Sequence, residues 1–190
     1  RLAASVRTVR GRRAIRCLVL TPTRELAMQV DESFGEYGRF TGLRHAVVYG
    51  GVSQKPQEQA LQKGVDILVA TPGRLLDLVG QKLANLSTVE IFVLDEADRM
   101  LDMGFIVDIR RIIEKLPAQR QTLMFSATMP QEIVRLSSTL LRDPVRVQVA
   151  AASAPAEDVE HRLYYVEKAS KPDLLKALLA GEEIKNALVF

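Results

Sequence analysis

The sequence is poor in cysteine and histidine, with one cysteine and two histidines among 190 residues. A single cysteine provides no disulfide framework, which fits a reducing compartment and leads us to expect a cytoplasmic protein. Cys17 opens an apolar run and is expected to pack in the core. The two histidines do not show the paired spacing of a zinc site. No apolar run approaches the roughly 20 residues that span a membrane, so we expect no membrane partner.

The charges are unevenly distributed, although the formal net charge is only +3. Residues 1–16 contain six arginines and no acidic residue. Such a segment is typical either of a solvated helix face with a loop or of direct contact with a polyanion, and the first interpretation is favoured. With 47% apolar and 26% charged residues, the composition is that of a globular protein with a buried core.

Short apolar runs typical of strands alternate with helical patterns over most of the chain. Strands are predicted at residues 17–20, 45–49, 66–69, 91–94, 122–125 and 145–149. The segments between them, such as RELAMQVDESFGEYGRF, place apolar residues at helical spacing. Strands that are each followed by a helix indicate an α/β domain with a mostly parallel sheet.

The chain is predicted to contain one domain, a linker and the beginning of a second domain. Residues 1–149 hold the alternating strands and helices, and residues 150–158 (AAASAPAED) have the small, proline-containing composition of a linker. Residues 159–190 read as a strand, a helix and the start of another strand. A segment of about 30 residues cannot bury a core by itself, so we expect it to be the opening of a second domain.

Five of the predicted strands are followed by loops that are polar or that contain glycine or proline. These loops are TPTREL (21–26), GG (50–51), TPGR (71–74), DEAD (95–98) and SAT (126–128). In an open parallel sheet, ligands bind where the loops converge at the carboxyl ends of the strands. The sequence therefore predicts a functional site along one rim of the sheet.

By residue and by order, these loops resemble those of the DEAD-box family of ATP-dependent RNA helicases. The matching stretches are Pro22-Thr23-Arg24-Glu25-Leu26-Ala27, Gly50-Gly51, Thr71-Pro72-Gly73-Arg74, Asp95-Glu96-Ala97-Asp98 and Ser126-Ala127-Thr128. The resemblance implies a RecA-like three-layer domain, and ALVF at the end of the chain resembles the first motif of a second RecA-like domain. It also implies ATP and Mg²⁺ as cofactors and RNA as the partner, and it names no protein partner.

Three carboxylates lie within four residues after the strand at 91–94. Asp95 suits the acidic residue that holds Mg²⁺, usually through water, in phosphoryl-transfer sites. Glu96 is the candidate base that orients and deprotonates the attacking water. The resemblance assigns Asp98 to a coupling network with Ser126 and Thr128. The alternative is that the carboxylates cap the following helix, although one cap needs only one carboxylate.

The remaining rim loops suit the backbone of a nucleic acid. The candidate RNA-binding residues are Pro22, Thr23, Arg24, Gly50, Gly51, Thr71, Pro72, Gly73 and Arg74. Hydroxyls, main-chain amides and arginines are donors to phosphate oxygens, and no aromatic residue lies in these loops for base stacking. The sequence therefore predicts recognition that is independent of base sequence. That the polymer is RNA is implied by the resemblance.

The sequence departs from the family pattern in one important respect. The phosphate-binding loop G-x-x-x-x-G-K-[ST] is missing from these residues, because no glycine is followed by lysine. We expect a first RecA-like domain that is truncated at its N-terminus and no ATP hydrolysis by these residues alone. We also expect either that these residues associate through the exposed edge of the strand 122–125 or that the full protein has the missing strand. Two alternatives stay open, a non-enzymatic fragment that binds RNA or protein and an RNA-stimulated ATPase that remodels ribonucleoprotein complexes.

Overall fold

The computed structural model describes residues 8–9, 12–149, 162–180 and 186–189. The chain divides into two compact units, Arg1–Pro144 and Val145–Phe190. The predicted linker at residues 150–158 lies outside the described residues. No helix among the described residues is long and apolar enough to cross a membrane.

The first unit is built on a five-stranded, all-parallel sheet. Its strands are β3 (Cys17–Leu20), β4 (His45–Val48), β5 (Ile67–Ala70), β6 (Ile91–Leu94) and β7 (Gln121–Met124), in the spatial order β4-β5-β3-β6-β7. Before them, the short strands β1 (Thr8–Val9) and β2 (Arg12–Arg13) pair antiparallel. The predicted parallel sheet is confirmed. Among the described strands, β7 pairs with β6 alone.

The described part of the first unit contains six helices, of which five connect strands and the last follows β7. They are α1 (Arg24–Gly38), α2 (Lys55–Lys63), α3 (Pro72–Gly80), α4 (Ala97–Asp102), α5 (Ile106–Ile113) and α6 (Gln131–Leu140). Thr23 caps α1, and a proline lies in the first turn of α2 and of α3, where its missing N–H removes no helical hydrogen bond. The described part of the second unit contains a 3-10 helix (Lys168–Ser170) and α7 (Lys171–Leu179).

Helices cover both faces of the sheet. Successive side chains of a strand point to opposite faces, so Leu18 and Leu20 join the larger apolar core, whereas Cys17 and Val19 join the smaller one. The larger core also contains buried residues of α2 to α6, and the smaller core contains Ala27 of α1. The result is the three-layer α/β arrangement that the resemblance implied.

The predicted strand at residues 145–149 is wrong. Its alternating valines, Val145, Val147 and Val149, are 90%, 86% and 89% exposed, and the segment is assigned to no strand. Valine favours a pleated surface only where neighbouring strands provide packing and hydrogen bonds. For the same reason residues 162–167 and 186–189 are not strands, whereas the helix predicted between them is present as α7.

Two arginines of the basic N-terminal segment stabilise the amino ends of the strands. Arg16 is only 2% exposed, and its Nε donates to Oε1 of Glu90 at 2.9 Å. Nη1 of Arg13 donates at 2.6 Å to Oδ2 of Asp66, which is fully buried. The interpretation of the whole segment as a solvated helix face is therefore wrong for Arg16. These ion pairs lie at the end of the sheet opposite the predicted site.

Candidate functional site

The strand register aligns the predicted loops along one rim. Leu20 lies opposite both Ala70 and Leu94, and Met124 lies opposite Leu94. The hydrogen-bond ladder between the strands continues for one residue beyond the strand ends, through four bonds of 2.8–3.0 Å. These bonds are Thr71 N to Val48 O, Thr21 N to Ala70 O, Asp95 N to Leu20 O and Phe125 N to Leu94 O. One half of the rim therefore carries the loops after β4, β5 and β3, and the other half carries the loops after β6 and β7.

Hydrogen bonds among Asp98, Ser126 and Thr128, the residues that the resemblance grouped, join the loops after β6 and β7. The main-chain N–H and the hydroxyl of Thr128 both donate to Oδ2 of Asp98, each at 2.8 Å. The Ser126 hydroxyl accepts from the Asp98 N–H at 3.1 Å and donates to the Thr128 carbonyl at 2.8 Å. Burial opposes ionisation of Asp98, but the hydrogen bonds that its carboxylate accepts, foremost the two from Thr128, outweigh burial and lower the pKa of this carboxyl.

The first amides of α4 are satisfied by the loop after β7 rather than by carboxylates. Ala97 N donates to Phe125 O at 3.0 Å, and Asp98 N donates to the Ser126 hydroxyl. Glu96, at the N-cap position, forms no side-chain cap hydrogen bond. The capping alternative therefore does not explain the carboxylates of Asp95 and Glu96.

Asp95 presents a partly buried carboxylate at the end of β6. Its Oδ1 accepts from the Glu96 N–H at 3.0 Å, whereas its Oδ2 accepts no hydrogen bond within the described part of the chain. Burial raises the pKa of Asp95, the charge of Glu96 adds to the shift, and the Glu96 N–H opposes it. A nearby cation would favour the charged form that burial disfavours.

Glu96 adopts an uncommon backbone conformation for a residue with a side chain. Its φ of 48° and ψ of 53° lie in the left-handed region. Its Oε2 accepts from Nη1 of Arg99 at 3.1 Å, and the side chains of Arg99 and Glu96 are 57% and 41% exposed. Such an exposed pair contributes little to stability. The left-handed residue thus lies at the turn between β6 and α4.

The acidic residues of the rim offer few protein ligands to a magnesium ion. No group of three histidine, cysteine, aspartate or glutamate side chains among the described residues could hold a metal. Mg²⁺ usually keeps several waters and binds one or two carboxylates together with substrate phosphates. Asp95, with one unshared oxygen, fits that mode of binding.

The other half of the rim exposes main-chain donors. In the described residues, the N–H groups of Gly50, Gly51, Gly73 and Arg74 donate to no protein acceptor. A Cβ added at any of the three glycines would meet no atom within 4 Å, so the space beside these amides is open. Gly51 has a φ of +79°, which favours glycine. These free amides can donate to the oxygens of an anion.

The predicted RNA-binding side chains have different environments. Pro22, Thr71 and Pro72 are buried, so they shape their loops from within. The hydroxyl of Thr23 accepts from Leu26 N at 3.3 Å and keeps its own hydrogen to donate. Arg24 is exposed and pairs with the neighbouring Glu25 at 2.5 Å, which raises the pKa of Arg24.

Arg74 points toward the loop that follows the glycine pair. Its Nη2 donates to the carbonyl of Val52 at 3.0 Å, and its Nη1 is buried without a partner among the described residues. The sequence identified Arg74 as a phosphate ligand but gave no indication of this loop contact.

Two residues of the rim were missed by the sequence analysis. Tyr49 follows the last residue of β4, so an aromatic residue does lie at the start of the glycine loop, and its hydroxyl donates to Sδ of Met28 at 3.4 Å. Gln57 of α2 is buried and bonds the main chain of Tyr49. The sequence contains one indication that Gln57 is buried. It precedes Leu61, the other buried residue of α2, by four positions, and residues four apart lie on the same face of a helix.

The parallel sheet, its two covered faces and its row of polar loops define an α/β protein of the RecA-like class. Comparison with known families is more specific, because residues 2–136 match the profile described as DEAD/DEAH box helicase. The chain belongs to this family.

Curated relatives match nearly the whole chain. The ATP-dependent RNA helicase RhlB of Xanthomonas axonopodis pv. citri is 44% identical over 178 residues, which are 92% of this chain and 31% of the relative. The DEAD-box ATP-dependent RNA helicase RhpA of Helicobacter pylori is 37% identical over 185 residues, 97% of this chain and 38% of the relative. The chain thus spans about a third of the length of such relatives.

Solved structures agree with this assignment. A hypothetical ATP-dependent RNA helicase from Sulfolobus tokodaii superimposes with a TM-score of 0.65 at 43% identity, covering 68% of this chain and 39% of that one. The yeast DEAD-box splicing factor Prp28 gives a TM-score of 0.63 at 35% identity, covering 67% of this chain and 31% of that one.

Proposed function

We propose that the protein is an ATP-dependent RNA helicase of the DEAD-box type, which couples ATP hydrolysis to sequence-independent RNA binding and local duplex separation. One observation supports this proposal most directly. The loops at one rim of the sheet follow adjacent strands, and one half of the rim presents carboxylates whereas the other half presents main-chain amides without a protein acceptor among the described residues. Family membership and the names of the relatives support it. The single, buried cysteine supports a cytoplasmic location.

The carboxylate half is assigned to nucleotide hydrolysis. Asp95 would hold Mg²⁺ through water, and the ion would neutralise charge on the phosphates of bound ATP. Glu96 is the general base, and its exposed carboxylate can rotate away from Arg99 to accept a proton from a water molecule. These 190 residues contain no Gly-Lys phosphate loop, so they are expected not to hydrolyse ATP alone.

The loops after β6 and β7 are assigned to the coupling of ATP hydrolysis to duplex separation. Asp98, Ser126 and Thr128 form one hydrogen-bonded unit, so a displacement of the Asp95–Asp98 loop is transmitted to the Ser126–Thr128 loop. We infer that this unit couples the phosphate state of the bound nucleotide to duplex separation.

The half with free amides is assigned to RNA. The amides of Gly50, Gly51 and Gly73, the Thr23 hydroxyl and the exposed guanidinium of Arg24 suit phosphate oxygens, which carry no base information. Arg74 contributes charge at the same loops. We propose binding of a single strand or short duplex through its backbone.

Two measurements on the full-length protein test this function. Steady-state ATP hydrolysis should be stimulated by RNAs of unrelated sequence, and single-turnover release of a short RNA duplex should require ATP. Release without ATP would instead indicate a non-enzymatic RNA-binding protein. RNA-stimulated hydrolysis without duplex release would favour the alternative of an ATPase that remodels ribonucleoprotein complexes.

A further inference from the structure

A buried glutamine of α2 holds the main chain immediately before the glycine pair. Gln57 is 7% exposed, whereas Gln59 of the same helix is exposed. Its Nε2 donates to the Tyr49 carbonyl at 3.1 Å, and its Oε1 accepts from the Tyr49 N–H at 3.2 Å. Burial of an amide is unfavourable unless both ends are hydrogen-bonded. The two bonds to Tyr49 satisfy that condition.

The position of Tyr49 in the sheet explains what these bonds do. β4 is an edge strand and pairs with β5 alone among the described strands. The Val48 carbonyl accepts from Thr71 N on the β5 side, and the polar groups of successive strand residues point to opposite sides. Those of Tyr49 therefore face the open edge, where the Gln57 amide takes the place of a neighbouring strand.

The loop that begins at Tyr49 is fixed at both ends and free between them. Gln57 bonds Tyr49, and Arg74 bonds the Val52 carbonyl at 3.0 Å. Between these points, Gly50 and Gly51 are exposed and their N–H groups have no acceptor in the described residues. A loop with fixed ends and free donors loses little conformational freedom when an anion binds.

We propose that Gln57 is a positioning residue for RNA: it holds the Tyr49–Gly51 main chain in the conformation that presents the two glycine amides to a phosphate of the RNA backbone. This inference rests on the proposed RNA-binding function. Gln57 does not itself touch the ligand, so its effect is on affinity rather than on base preference or chemistry.

The test compares Gln57→Leu with Gln59→Leu in the full-length protein. Q57L keeps the approximate volume of the side chain and removes both bonds, whereas Q59L makes the same replacement on the exposed face of α2. For a fluorescent single-stranded RNA, we expect Q57L to raise Kd about tenfold and Q59L to leave it unchanged. The kcat of ATP hydrolysis at saturating RNA should stay within about twofold of the parent value. If Q57L does not fold, Q57E, which keeps the acceptor for the Tyr49 N–H, is compared in the same way.

A double-mutant cycle distinguishes positioning from a general structural role. Gly51→Ala places a side chain at a positive φ and should itself weaken RNA binding. If Gln57 acts through this loop, adding Q57L to G51A should weaken binding by less than about twofold further. Fully additive losses, or equal affinities of Q57L and Q59L, would overturn the positioning role. Absence of RNA binding by the parent protein would instead defeat the proposed function.

Discussion

Thr128 donates two hydrogen bonds to a single carboxylate oxygen of Asp98, from its main-chain N–H and from its hydroxyl, each 2.8 Å long. The two residues are 30 positions apart in the chain and belong to loops that follow adjacent strands. The hydroxyl bond can be removed without the main-chain bond, which makes the coupling role of this pair testable.

The first prediction concerns this connection between the loops. Thr128→Val keeps the shape of the side chain and the main-chain bond but removes the hydroxyl. We expect duplex release by the full-length protein to slow by about tenfold while RNA-stimulated ATP hydrolysis changes by less than about threefold, since a coupling of this kind is worth 1–3 kcal/mol. Ser138→Ala, which removes a hydroxyl from α6, is the control. Equal losses of hydrolysis and duplex release would refute the division of roles.

The second prediction concerns Glu96. In the full-length protein, Glu96→Gln should lower ATP hydrolysis by orders of magnitude while nucleotide and RNA binding are retained, because the base is lost and the side chain keeps its size. Loss of its exposed contact with Arg99 should cost at most about 1 kcal/mol of stability. The measurement is steady-state turnover together with RNA affinity, and Glu132→Gln on α6 is the control. Turnover close to that of the parent would exclude Glu96 as the base.

The third prediction uses the opposite pKa shifts of two nearby aspartates. The pKa of Asp98 is lowered in the folded protein, so its contribution to stability is present above the unfolded pKa and is lost as pH falls through the folded pKa. The pKa of Asp95 is raised, so its charged form opposes folding once pH rises above the unfolded value near 4. At pH 7 without nucleotide or divalent cation, we expect Asp95→Asn to raise the thermal midpoint and Asp98→Asn to lower it. Shifts in the same direction would contradict this account.

The fourth prediction concerns Cys17. Burial raises the pKa of its thiol to about 12, and the thiolate is the reactive form of cysteine. At pH 8 a thiol reagent should therefore label Cys17 at least about a hundredfold more slowly in the folded protein than in denaturant. Peptide mapping of the labelled residue assigns the signal. Similar rates in the two conditions would show that the smaller apolar core is accessible to solvent.

Local patterns in the sequence were sufficient to predict the sheet and the rim. The apolar strands β3 and β5 are buried at every position and are readily recognised as short runs. Most of the loops that follow the strands contain glycine, proline or acidic residues. In-register parallel pairing places those loops side by side. The grouping of Asp98 with Ser126 and Thr128, however, came from the family resemblance and not from local pattern.

Contacts between distant segments could not be read from local pattern. Arg16 and Glu90 are 74 positions apart, and neither position has a sequence feature that identifies the other as its partner. The left-handed backbone of Glu96 and the bonds between Gln57 and Tyr49 likewise depend on tertiary packing. Residues 145–149 show the opposite case, in which a good strand pattern lacks a neighbouring strand.

The last prediction compares the RNA binding of two variants, one at an arginine on the rim and one at an arginine beyond the far end of the same helix. Arg24 begins α1 at the rim, whereas Arg39 follows the helix and stacks on the ring of Phe40 at 5.0 Å. A helix of 15 residues is about 22 Å long, so Arg39 lies well away from the rim.

Arg24→Ala should weaken RNA binding to a similar extent for unrelated sequences, because a phosphate contact carries no base information. It should also reduce the slope of log Kd against log salt by about 0.7–0.9, the value for one phosphate contact. Arg39→Ala removes the same formal charge and should leave the slope unchanged. Anisotropy titrations of two RNAs at several salt concentrations provide both quantities. A loss that depends on base sequence would mean that Arg24 reads a base edge, and equal slopes for both variants would mean that it contacts no phosphate.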